Sequence, residues 1–191
     1  MKLKLVLALA VVASGCIGST TYTSEQASNA LPELEDLRSS SFHSQLEDGN
    51  QYSLTTNNQE ERKTVEKENH TMFTRQFMIM PESSNIPVVE SSAPIIIIGS
   101  VYHFNDTSSA KQNYDKAVFQ KKDVIADEIW QIENRSFGRV AKINVSSGSK
   151  LTEVTSREQN VYLQASTANI EEFKVDEARE ILKRMREKLK S

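Results

Sequence analysis

The sequence predicts an α+β fold, with an antiparallel sheet of about five to seven strands and two main helices in a single domain. Two observations point to it. Short β-branched or alternating runs recur through the chain, the most apolar being Pro94 to Phe104, whereas helical spacing is confined to Ser109–Lys121 and a C-terminal stretch from about Asn169. The strand-like runs also follow one another across polar turns instead of alternating with helices, which favours an antiparallel sheet over a doubly wound one.

The chain has 191 residues, 38% hydrophobic and 26% charged, with a formal net charge of −3. A mean hydropathy of −0.49 fits a water-facing domain. Mild acidity argues against nucleic acid as a partner, because its binders concentrate Lys and Arg in a stripe.

The N-terminus sets the domain plan. Lys2 and Lys4 precede the apolar run Leu5 to Val12, and Ala13-Ser14-Gly15 brings small residues to Cys16. A positive region, an apolar region and small residues before a cut make a secretory signal. A retained span needs about 20 apolar residues, and this run is shorter. The small-small-Cys ending reads as a lipobox, at which a peptidase cuts before a cysteine carrying diacylglyceryl. Cys16 is the only cysteine, so no disulfide forms within one chain, and a thioether to lipid accounts for the odd thiol. The plan is therefore a signal peptide over 1–15, a flexible Ser/Thr-rich tether over 16–30 and one domain over 31–191. It implies an outer-face, lipid-anchored location with the membrane as partner, and another envelope protein as a second partner.

Within the domain, Leu31, Leu34 and Leu37 have the spacing of a helical turn or two. Phe42, Leu46, Tyr52 and Leu54 share one face of a hairpin if Asp48-Gly49-Asn50 forms a three-residue loop. Thr56 to Glu68 is polar and reads as an exposed loop. Its acids with His70 lack the fixed spacing of a metal site, and no metal is expected. Thr71 to Met80 has strand composition, ended by Pro81. Pro94 to Phe104 is apolar at both parities through Ile98, as a strand covered on both faces is. His103 reads as a polar cap on its less buried face.

Asn105-Asp106-Thr107 can cap the helix that carries Ala110, Tyr114, Ala117 and Val118. This strand-turn-helix lacks a glycine-rich turn, so no dinucleotide or other cofactor is implied. Val124 to Glu133 is open between helix and strand, with Trp130 read as core. Phe137, Ala141, Ile143 and Val145 line a strand, Leu151 to Ser156 runs back, and Val161, Leu163 and Ala165 alternate after a turn at Arg157–Asn160. Phe173, Ala178, Ile181, Leu182, Met185 and Leu189 then form one helical stripe. Acids early and bases late in that helix complement its dipole.

Val101 to Ala110 with Tyr114, then Ala126-Asp127-Glu128, then Val154 to Val161, then Asp176 to Arg179, resemble a group of uncharacterised archaeal surface lipoproteins; Ser14 to Gly18 is similar to their N-termini. The resemblance implies a PsbP-like α/β sandwich that binds partners without doing chemistry. It departs at Ala126, where a Gly is usual, and at Glu158-Gln159, which replaces Lys-Gly. Only structural residues match, so no site is carried over.

No nucleophile motif accompanies the three histidines, His43, His70 and His103, so the expectation is a binding or accessory module, with a structural envelope component and a surface hydrolase as alternatives. Asn69, Asn105, Asn134 and Asn144 stand in glycosylation sequons. Pro81, Pro87 and Pro94 bracket Ile86, Val88 and Val89, which either pack locally under a loop or form an exposed apolar tip that meets a partner.

Overall fold

In a computed structural model, the described residues are 21–38, 52–56, 63–81, 96–119, 124–133, 136–145, 148–170 and 172–191. Two short helices, α1 (Ser24–Asn29) and α2 (Leu34–Arg38), precede strands β1 (Tyr52–Thr56), β2 (Lys63–Glu66), β3 (His70–Pro81) and β4 (Ile96–Phe104). Helix α3 (Thr107–Phe119) leads to a meander of β5 (Val124–Glu133), β6 (Ser136–Asn144), β7 (Lys150–Glu158) and β8 (Val161–Asn169), and α4 (Val175–Lys190) closes the chain.

All pairings are antiparallel, in the order β1-β3-β4-β8-β7-β6-β5, with β2 also paired to β3. The α+β single-domain reading therefore holds, as a path of seven strands plus the short β2. The β3 strand is long enough for β1 to pair near Pro81 while β2 pairs near Thr71. Short strands at an edge limit the unpaired backbone offered to other chains.

The apolar β4 lies between β3 and β8, where the sequence places it. Its register sets Ile97 opposite Thr167 and Val101 opposite Leu163. Because side chains alternate along a strand, these residues, with Phe77, Ala165, Val154 and Val140, share one sheet face. That face meets Ala178, Ile181, Leu182, Met185 and Leu189 of α4 and Ala27, Ala30, Leu31 and Leu37 from the N-terminal segment. Full burial of a Leu or Ile side chain contributes about 1.5–3 kcal/mol, so this is the main stabilising layer. On the opposite face, Ala110 of α3 packs with Phe104 and Tyr162, with Tyr102 and Tyr114 against them. The two main helices thus lie on opposite faces of the sheet. This corrects the reading from sequence that sets both helices on one sheet face: an apolar stripe shows that a helix is covered, not which side of the sheet covers it.

The tether reading of 16–30 is corrected from Tyr22 onward. Thr23 and Gln26 form a reciprocal capping box, with Gln26 N–H donating to Thr23 Oγ1 at 3.2 Å and Thr23 N–H to Gln26 Oε1 at 2.9 Å. Ala27 and Ala30 are fully buried. Small polar residues here start a helix, and small apolar ones let it approach the sheet. Close approach recurs at Gly99, where an added Cβ would lie 2.3 Å from Pro32 Cδ. Lys188 secures the segment by donating to the Leu31 carbonyl at 3.1 Å and to Asp36 at 2.8 Å.

Other boundaries shift for physical reasons. Lys63–Glu66, read as loop, is strand β2; its polar residues suit an edge. Val124–Glu133 is a strand with two register irregularities. In β6 the core-facing residues are Gly138 and Val140, not the Ala141 and Ile143 parity. Gly138 leaves room for Trp130, whose indole Nε1 would lie 2.3 Å from a Cβ there. The first arm of the expected 42–54 hairpin lies outside the described residues.

Candidate functional site

Among the described residues, a polar cluster forms around Tyr22, at the N-terminal end of the described chain. Strands β7 and β8 are joined by Gln159 and Asn160, with Glu158 paired to Val161. Gln159 has a φ of 50°, the left-handed region that disfavours residues with a Cβ. This strained turn presents the buried Asn160 side chain to the backbone of Tyr22. Tyr22 N–H donates to Asn160 Oδ1 at 2.8 Å, and Asn160 Nδ2 donates to the Tyr22 carbonyl and to the Phe104 carbonyl, each at 3.0 Å. One side-chain amide thus pairs with both backbone groups of Tyr22, as a neighbouring strand would.

His103 completes the clamp. Its Nε2 lies 2.9 Å from the Tyr22 carbonyl, so that nitrogen carries the proton and donates. The expectation of a cap on the less buried face is corrected: His103 has the parity of Val101, on the face that α4 covers. Its polar ring gives the Tyr22 carbonyl a second donor beside Asn160 Nδ2, at the edge of the core.

Beside Tyr22, Arg186 of α4 is 2% exposed and pairs with Glu158: Nε donates to Oε1 at 2.8 Å, and NH2 stands in ion-pair range of the same oxygen at 2.5 Å. Burial raises the Tyr22 phenol above its ordinary value; the Glu158 carboxylate adds to this and the Arg186 guanidinium opposes it. The clamp, the strained turn and the ion pair join the N-terminal segment, β4, the β7–β8 turn and α4.

The face under α3 carries a second arrangement. Tyr102 stacks on Tyr162 with centroids 4.7 Å apart, and Tyr114 meets Tyr162 edge-on at 5.4 Å. His70 lies 5.0 Å from the Phe104 ring. The Tyr162 hydroxyl donates to Gln164 at 2.9 Å, and Gln164 Nε2 donates to Ser166 at 3.1 Å. Burial raises the phenols of Tyr102, Tyr114 and Tyr162, most strongly for Tyr162. Burial, and then the Lys67 charge, lower His70.

The structure places the sequon residues Asn69, Asn105 and Asn144 on the surface. Asn69 Oδ1 accepts a bond from His70 Nδ1 at 2.8 Å, and Asn105 follows Phe104, the partner of His70. Asn144 ends β6 opposite Lys150. Asn134, Cys16, His43 and the segment with Ile86, Val88 and Val89 lie outside the described residues. Sequence reasoning missed Asn160, Glu158, Arg186 and Tyr22. Their one local signal is Asn160 at the end of a predicted turn.

An α+β domain built this way is similar to the extracellular domain of PknH from Mycobacterium tuberculosis, with a TM-score of 0.50 and 9% identity over 91% of this chain and 99% of that one. At that identity the likeness concerns the fold. No family model matches the chain, and no curated protein matches it. These comparisons lend no support to the resemblance to archaeal surface lipoproteins or to PsbP.

Proposed function

We propose that the mature chain is an extracytoplasmic binding or accessory domain held on the outer face of the membrane by lipid on Cys16. The observation that carries this reading is the sequence Lys2 to Cys16, a complete export signal ending in the chain's only cysteine. Two structural facts support it. The described fold includes nothing before residue 21, and its first hydrogen bonds are those of Tyr22, so a cut before Cys16 leaves the described fold whole. The fold is also similar to one that another protein uses as its extracellular domain.

A binding role is favoured over catalysis because the polar groups at the clamp already have structural work. Arg186 and Glu158 are paired in the interior, while His103 and Asn160 hold backbone.

Cell fractionation tests the anchor. Wild-type protein is expected in the membrane fraction and in the detergent phase on partition. Cys16→Ser is expected to be released or to persist as an uncut precursor. Wild-type protein recovered from the medium without lipid would contradict the reading.

A further inference from the structure

We infer that the end of the sheet carrying the β7–β8 turn faces the lipid bilayer, held there by a short leash and a fixed point of attachment. This rests on the lipid attachment proposed above. Five residues lie between Cys16 and Tyr22 in the sequence, and the six residue steps from one to the other reach at most about 20 Å even fully extended. The leash ends at Tyr22, whose N–H and carbonyl are both held by Asn160 and whose carbonyl also meets His103.

Strand pairing defines which parts of the domain lie at that end. His70 pairs with Phe104, His103 with Val161 and Glu158 with Val161, which gathers the start of β3, the end of β4 and the β7–β8 turn around Tyr22. Asn144 and Lys150 pair at the other end of the sheet. Strands of nine residues span about 30 Å, more than the leash can reach. An upright domain therefore keeps the turn end near the headgroups and the 144–150 end away from them.

Charge does not account for this orientation: Lys67 and Lys190 are exposed at the near end, but so are Glu66, Glu68, Asp106 and Glu187, so no basic patch among the described residues draws it to anionic lipid. The surface thus suits a neutral phosphatidylcholine bilayer, with the leash as the orienting element. Sequons Asn69 and Asn105 lie at the near end, and Asn144 lies at the far end.

Energy transfer on vesicles tests the inference. The lipidated chain has no reactive thiol once the Cys16 sulfur is in a thioether, so Asn105→Cys and Asn144→Cys each accept one donor dye. With acceptors on the headgroups of phosphatidylcholine vesicles, transfer from position 105 is expected to exceed that from 144 by at least about twofold, given about 30 Å between the two ends. A Gly/Ser insertion of about 12 residues after Gly18, which lengthens the leash past the span of the sheet, should shrink that difference. Equal transfer from the two positions with the native leash would overturn the orientation while leaving the anchor intact. A difference that the insertion does not change would overturn the leash as its cause. Protein that stays off the vesicles with a maleimide-reactive Cys16 would overturn the lipid reading, and this inference with it.

Discussion

The sheet face under α1, α2 and α4 is closed mainly by aliphatic side chains, with Phe77 among them, whereas the face under α3 is closed by rings and by polar groups that bond one another. On the first face, Leu163, Val101 and Val154 meet Leu182, Ile181 and Met185. On the second, Tyr162 is stacked by Tyr102, met edge-on by Tyr114 and bonded to Gln164. Aliphatic burial is non-directional and supplies most of the stability. Rings also stabilise by their buried area, while their preferred stacking and the hydrogen bonds, which contribute less per group, fix angles and register. One sheet thus separates the layer that keeps the domain folded from the layer that fixes how α3 sits.

The largest expected effect comes where the aliphatic face takes in a charge. Glu158→Ala leaves the Arg186 guanidinium without its carboxylate in a 2% exposed position, and removing one partner of a buried pair costs about 3–5 kcal/mol. Urea unfolding should show this loss. Combining it with Arg186→Met should recover most of it, because an apolar side chain has no charge to strand.

Next in size is a matched pair of truncations on the two faces. Leu182→Ala opens a cavity in the aliphatic layer and is expected to cost about 2–5 kcal/mol. Tyr162→Phe removes one hydroxyl and its bond to Gln164 and is expected to cost about 1 kcal/mol. Equal losses from the two would break the contrast between the faces.

Alkaline pH sharpens the same contrast with a smaller effect. Tyr162, Tyr114 and Tyr102 have raised values because burial disfavours the phenolate. Above the unfolded value of about 10, the unfolded chain loses these protons while the folded chain keeps them. The folded state then binds more protons, so stability falls as pH rises. Below about pH 10 the contribution is fully present. Urea midpoints measured on both sides of that pH should fall for the wild type and fall less for Tyr162→Phe. Leu182→Ala should keep the wild-type pH slope.

The amino-acid pattern reveals elements whose period is their own. Ile97 and Val101 in β4 and the stripe from Ala178 to Leu189 declare a buried strand and an amphipathic helix locally. Helix α1 was not legible as core because its buried residue, Ala27, and its C-cap, Ala30, are alanines, whose small size matters only against a sheet that closely approaches them. Lys63–Glu66 hid for the opposite reason: an edge strand needs pairing but little burial. The clamp was least legible of all, since Tyr22 and Asn160 are 138 residues apart. Asn160 reads as a turn residue by itself, and only the fold brings the Tyr22 backbone to it. His103 was misplaced because strand parity assigns a face but not which helix will cover that face.

Intact mass measurement of protein extracted from membranes tests the lipid anchor most directly. The expected species begins at Cys16, lacks residues 1–15 and carries a diacylglyceryl group on the cysteine sulfur. A mature chain that begins elsewhere, or one whose Cys16 has a free thiol, would contradict it.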